Sequence, residues 1–398
     1  MRVFYAQAVY GQEEIDAVCR VLENSSLTLM DGPEVALFER RVAALFGKSH
    51  GLMVNSGSSA NTLAIASLEL EPGSEVITPA LTFSTTLAPL LQQNLVPAFV
   101  DVEPDTFNTD ASLVEDLIGP RTKAMMIPNL IGNMPDWAAL REIADRHGLK
   151  VIEDSADTIG STYRGAPTGP LSDIATTSFY ASHVMTAGGF GGMVTLNDPA
   201  LEQRARLLRG WGRSSSVLGE SEAVEDRFGV DLDGIEYDAK FLFSAIGYNF
   251  LPSEISAAFG NVQLDRLSDY TSRRVANFAR LRSFFAAHEE WFILPRQNPD
   301  AVTPWLALPL IVRMEAPFNR RELQVHFEGA GVQTRVVFTG NVLRQPAFAG
   351  IERREHPGGY PNADLVTRGG LLLGCHQGMT PDQVEYVMGT FDEFAASR

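Results

Sequence analysis

The stretch Ser178-Phe179-Tyr180-Ala181-Ser182-His183 brings a hydroxyl, two aromatic rings and an imidazole together, just ahead of a glycine-rich turn, Gly188-Gly189-Phe190-Gly191-Gly192. Ser178 can offer its hydroxyl to a phosphate, and His183 can move protons near neutral pH. Read alone, a histidine in such a loop is as readily structural. A second group is Asn55-Ser56-Gly57-Ser58-Ser59-Ala60-Asn61. Gly57 permits close backbone approach to a ligand, Ser58 and Ser59 carry hydroxyls, and a following helix start exposes N–H groups toward an anion. The same residues would serve equally as a plain helix cap. A third is Val151-Ile152-Glu153-Asp154-Ser155-Ala156-Asp157. Asp154 ends an apolar run and could hold a pyridinium nitrogen protonated, making the ring an electron sink. A loop or capping aspartate is the alternative. The fourth is Thr82-Phe83-Ser84-Thr85, in which Phe83 either stacks on a planar cofactor or packs in the core.

Each group follows a short apolar run. Candidate strands lie at 52–55, 75–79, 98–101, 124–129, 150–153, 175–179 and 192–196, with helical patterns at 59–69, 84–94, 112–118 and 136–147. This alternation predicts an α/β fold with a mostly parallel, seven-stranded sheet covered on both faces. Ligands in such sheets bind at the carboxyl ends of strands, where all four groups fall. The pattern changes after about residue 198. A helix is expected over 199–210, an irregular polar stretch over 211–250, and a long helix over 253–287. Strands at 305–313 and 334–338 then mix with helices at 319–329 and 381–396. This divides the chain into a large domain, 1–250, and a smaller α+β domain, 251–398, with the first ten or so residues packing on the latter. The acidic stretch 219–234 reads as a solvated loop.

Composition narrows the function classes. The net charge of −17 disfavours nucleic acid and acidic membranes as partners. Two cysteines, Cys19 and Cys375, are too few for a disulfide framework or a cysteine-ligated cluster, which suits a reducing compartment. No leader-like segment and no membrane-spanning run is visible, so a cytoplasmic protein is expected, with no metal site.

Taken together, SGSSAN, TFSTT, EDSADTIG and SFYASH followed by GGFGG resemble, in order and spacing, the DegT/StrS-like sugar aminotransferases of pyridoxal-phosphate (PLP) fold type I. The similarity runs nearly end to end and includes Gly247-Tyr248-Asn249 and Thr334-Arg335. The resemblance implies that Gly57, Ser58 and Ser178 hold the cofactor phosphate. Asn249 would reach that phosphate from the neighbouring subunit of a homodimer. Phe83 would stack on the ring, Asp154 would pair with its nitrogen, Asp157 would lie near its hydroxyl, and Arg335 would line the sugar site.

One departure dominates. The family's Schiff-base lysine aligns with His183, and imidazole cannot take its place in that bond. Of the four lysines, Lys48, Lys123 and Lys150 lie near strand starts, at the wrong end of the sheet, and Lys240 lies in the irregular stretch. The same replacement marks a subset of the family, the nucleotide-sugar 3-dehydratases, such as those acting on GDP-4-keto-6-deoxymannose. Thr339-Gly340-Asn341 and His376-Gln377 are shared with that subset. Relatives with an iron–sulfur cluster place cysteines after a W-G-R motif. Here Ser214-Ser215-Ser216 follow Trp211-Gly212-Arg213, so no cluster is expected. Phe190 and Leu251 also stand where relatives carry an acid and a base. The resemblance thus implies C3 deoxygenation of a nucleotide-linked 4-keto-6-deoxyhexose. The cofactor would be non-covalent PLP or pyridoxamine phosphate (PMP), with L-glutamate as amino donor and His183 as acid and base. Two other readings stay open: an aminotransferase lacking the usual lysine or using Lys240, and an inactive cofactor-binding member.

Overall fold

The structure is a computed structural model that describes residues 1–24, 29–218 and 223–398. All seven expected strands of the large sheet form: His50–Val54, Glu75–Pro79, Val96–Val100, Thr122–Pro128, Lys150–Asp154, Ile174–Ser178 and Gly192–Leu196. Across the sheet they run 50–54, 192–196, 174–178, 150–154, 122–128, 75–79 and 96–100. Gly192–Leu196 is antiparallel to both neighbours, and the rest of the sheet is parallel. An eighth, two-residue strand, Arg354–Glu355, adds parallel to Ala98 and Phe99 at the edge. It carries no apolar pattern, and Arg354 is pinned by Glu75 Oε2 at 3.0 Å.

The strands are apolar on both faces because both are covered. Ala124, Met126 and Ile152 pack with Leu63 on one side. Met125, Ile127 and Val151 pack with Trp137 and Leu140 on the other. This is the two-residue period of a pleated strand. Local chemistry sets the helix ends. Ser56 accepts from Ser59 N to cap Gly57–Ser67, and Asp136 accepts from Ala139 N to cap Trp137–His147, which stops at left-handed Gly148. The helix expected over 112–118 is instead two 3-10 turns, Ala111–Leu113 and Glu115–Leu117. The span between the Asp110 cap and Gly119-Pro120 is too short to offset helix nucleation.

The long helix Glu254–Phe285 leads into the part of the chain that we propose as a smaller domain, whose antiparallel sheet runs 292–293, 307–312, 370–374, 334–336. Its strand Gly370–Gly374 follows a helix, Pro361–Gly369, and neither was anticipated. The amino terminus joins this domain: Val3 bridges to Val332, and His376 Nε2 pairs with the Phe4 carbonyl at 3.2 Å. Two helices missed from sequence, Gln12–Asn24 and Pro33–Leu45, pack against the long helix. Glu254 caps the second of them from a distance, accepting from the N–H groups of Gly32, Glu34 and Val35. Within the acidic stretch 219–234, residues 219–222 lie outside the described residues. The remainder forms a one-turn helix, Val224–Arg227, and opens a hairpin of Val230–Leu232 with Ile235–Tyr237.

Candidate active site

A cavity of about 470 Å³ opens at the carboxyl ends of Thr122–Pro128, Lys150–Asp154 and Ile174–Ser178. Gly57, Ser58, Phe83, Asp154, Asp157, Ser178 and His183 all line it. Asn249 and Arg335 do not. Asn249 is exposed, its carbonyl 3.4 Å from Asn55 Nδ2. Arg335 is exposed too, its guanidinium 5.5 Å from the Tyr5 ring.

One wall is a cup for an anion. The first turn of Gly57–Ser67 and the strand end at Ser178 meet so closely that a Cβ on Gly57 would sit 2.5 Å from Ser178 Cβ. Gly192 is equally constrained, since a Cβ there would lie 2.3 Å from the Ser56 carbonyl oxygen. Glycine at both positions lets the first turn of that helix lie directly against the strand end, and Ser58 and Ser178 line the cavity beside it, a set of groups that suits a phosphate. Phe83 flanks the cavity, half-exposed, in edge contact with Phe338 at 6.0 Å.

Opposite the cup lie two buried carboxylates. Asp154 Oδ2 accepts from Asn61 Nδ2 and Thr86 Oγ1, both at 2.8 Å. Among the described residues its Oδ1 receives the Ala156 N–H alone, at 3.3 Å, so a stronger donor can approach it. Burial pushes the Asp154 carboxyl above its usual range, partly offset by those donors. Burial and the nearby Asp154 push Asp157 up to about 7. Its Oδ2 accepts from Ile131 N at 3.0 Å. A cationic ring N–H beside Asp154 would relieve the cost of that buried charge. The cup, the aromatic flank and this carboxylate therefore fit a phosphorylated pyridine.

His183 sits in the cavity wall on the loop after Ser178, its ring edge-on to Tyr180 at 6.0 Å. Burial pushes its imidazole down to about 4, the backbone of Ser178 and Ala156 acting in the opposite sense. Its Nδ1 is buried without a hydrogen bond of ordinary geometry among the described residues. No lysine lines the cavity. Lys48 Nζ donates to the Ser172 carbonyl at 2.5 Å, Lys123 to the Pro120 carbonyl, and Lys150 to Asp173. Lys240 lies on a short turn, Ala239–Phe241.

Sequence reasoning assigned no role to Asn61, Thr86, Phe190 or Phe338, all of which line the cavity. Asn61 and Thr86 matter most, because they orient Asp154, and Thr176 Oγ1 orients Asn61 in turn at 2.6 Å. A buried asparagine on the inward face of an apolar helix was the one signal available for them.

Residues 9–392 match the model of the DegT/DnrJ/EryC1/StrS aminotransferase family. The chain belongs to that family. It is 35% identical over 395 residues to the dTDP-4-dehydro-2,6-dideoxy-D-glucose 3-dehydratase of Saccharopolyspora spinosa, covering 96% of this chain and 85% of that one. It is 32% identical over 379 residues to the dTDP-3-amino-3,4,6-trideoxy-alpha-D-glucose transaminase of Streptomyces venezuelae, covering 95% and 91%. The structure resembles that of E. coli GDP-4-keto-6-deoxy-D-mannose-3-dehydratase with bound hydrated PLP, at a TM-score of 0.86 and 26% identity over 98% and 100% of the two chains. As a DegT/DnrJ/EryC1/StrS family member, the chain has PLP fold type I and is an enzyme of the PLP-dependent sugar aminotransferase family.

Proposed function

We propose that this family member is a 3-dehydratase of a nucleotide-linked 4-keto-6-deoxyhexose, working with non-covalently held PLP and PMP. The observation that carries this reading is His183 in the wall of a cavity that no lysine lines. Gly57, Ser58 and Ser178 would hold the cofactor phosphate, Phe83 would lie on the ring, Asp154 would keep the ring nitrogen protonated, and Asp157 would face the ring hydroxyl. Bound there, the aminated cofactor supplies an amine for the C4 ketone and a ring that stores an electron pair. His183 starts neutral, as its low pKa ensures, so its imidazole can take a proton from the carbon bearing that amine. The imidazolium then delivers the proton to the C3 oxygen as it departs. L-glutamate serves as amino donor. The enzyme acts in the cytoplasm as a homodimer in which Asn249 reaches the partner's phosphate cup and Arg335 lines the sugar site. Serines follow Trp211-Gly212-Arg213, so the reading includes neither an iron–sulfur cluster nor a reductase.

The test is incubation with PLP, L-glutamate and a panel of nucleotide-linked 4-keto-6-deoxyhexoses. Ammonia release and a product lighter by one oxygen atom are expected. An amino sugar as the sole product would overturn the reading. A second reading, a transaminase, draws support from the comparable identity to a transaminase of the family. Borohydride trapping of a lysine adduct, at Lys240 or elsewhere, would decide for it.

A further inference from the structure

Arg274, on the long helix Glu254–Phe285, is 0% exposed and has no carboxylate partner among the described residues. Its guanidinium donates only to neutral oxygens. Nε reaches Gln377 Oε1 at 2.7 Å, and Nη1 reaches the Trp305 and Leu306 carbonyls at 3.0 Å each. Nη2 reaches the carbonyl of His183 itself at 3.4 Å. Gln377 extends the clamp, donating from Nε2 to the Val184 carbonyl at 3.0 Å. Two consecutive carbonyls of the His183 loop are therefore hung from the long helix and the smaller domain. An unpaired buried cation is expensive, and an apolar side chain would fill the space at less cost.

We propose that Arg274 is a positioning residue for His183, fastening the backbone of its loop to the long helix through the His183 carbonyl and, by way of Gln377, the Val184 carbonyl. Burial is the main cause that keeps the imidazole neutral, and the Arg274 charge acts in the same sense. This rests on the reading of His183 as the acid and base. Among the described residues, the titratable groups around the loop are Tyr180 beside the His183 ring, Asp154 and Asp157 across the cavity, and Tyr5, Cys375 and His376 on the far side of Arg274. Burial raises Tyr5 above its ordinary value and pushes Cys375 up to about 11, so both are neutral at pH 7. Burial pushes His376 down to about 4, which makes it neutral as well. Asp157 is then the carboxylate coupled to Arg274, and its own ionisation is suppressed.

The experiment is an NMR titration of the 15N-labelled His183 imidazole in the cofactor-free protein, beside activity on the nucleotide-sugar panel. Arg274→Met is expected to raise the His183 midpoint by roughly 0.3 to 0.5 of a pH unit, since a like charge nearby disfavours the imidazolium while burial still lowers it. Arg274→Lys keeps the charge but loses the fork. It should leave the midpoint in place while lowering kcat at least about tenfold through a loosened loop. Gln377→Glu sets a carboxylate against Nε and gives the upward shift even where Arg274→Met does not fold. Unchanged turnover in Arg274→Lys, or an unmoved midpoint in both Arg274→Met and Gln377→Glu, would overturn the proposal. A shifted midpoint with no dehydration of any nucleotide sugar would keep the coupling and sink the proposed function instead.

Discussion

At the level of single residues, the site depends on carboxyl groups whose charge the fold opposes. Asp154→Asn keeps the bonds to Thr86 and Asn61 within reach but cannot favour a protonated ring nitrogen. Cofactor affinity, read by absorbance titration, should fall at least about tenfold, and turnover by about a hundredfold or more. Asp157 gives a stability signature that needs no substrate. In the folded chain it keeps its proton to about pH 7, whereas its ordinary value is 3.8. Between those values the folded state binds the extra proton, so the group's contribution is complete below about pH 4 and lost as pH rises through 7. Asp157→Asn removes that loss. The Tm difference, variant minus wild type, should therefore climb between pH 4.5 and 7.5, equivalent to roughly 1 to 3 kcal/mol. A flat difference across that window would show that Asp157 ionises as an ordinary carboxylate. His183 acts in the opposite sense in both proteins, since its lowered value makes its contribution present above 6.5 and lost on acidification through about 4. Asp154 was legible as a strand-end carboxylate, and Asp157 was named through the family resemblance alone. Their mutual repulsion and their donors were not legible, because the donors to Asp154 lie 93 and 68 positions away in the chain.

At the level of elements, the cup exists because a helix start and a strand end pack without side-chain thickness between them. Gly57→Ala puts a methyl 2.5 Å from Ser178 Cβ, so the helix start must retreat. The expected result is an intact fold with PLP affinity weakened at least about tenfold, some 1.4 kcal/mol, in a spectroscopic titration. The same region hangs on Arg209, which is buried and donates to Glu39 Oε1 at 2.8 Å, the Met53 carbonyl at 2.9 Å and Asp31 Oδ2 at 2.7 Å. It ties Pro33–Leu45 to His50–Val54. Arg209→Ala leaves Glu39 unpaired in the interior and should cost about 3 to 5 kcal/mol, read by urea denaturation. The large sheet was legible because period and burial agree on every strand. Gly370–Gly374 and the edge pair Arg354–Glu355 were not, since long-range pairing rather than local pattern defines them.

At the level of the whole molecule, Asn249 stands outside the cavity of its own chain, on a face that also shows Phe241, Phe243 and Ile246, the last 99% exposed. In the proposed homodimer this face is covered. Ile246→Asp should shift sedimentation from dimer to monomer and weaken PLP binding together, because Asn249 then no longer reaches the second cup. A monomeric variant with unchanged cofactor affinity would remove Asn249 from the site. The sequence by itself determined the positions of the seven strands, the motifs at the strand ends, the lysine-poor composition and the histidine in the lysine's place, and through them the family. All of these are properties of neighbours along the chain. Only the tertiary structure decided that Asn61 and Thr86 grip Asp154, that no lysine lines the cavity, and that Arg274 holds the carbonyl of His183 from 91 positions away. Those facts depend on which buried polar groups meet when distant segments of the chain pack together, and the periodicity of a short window carries no record of such meetings.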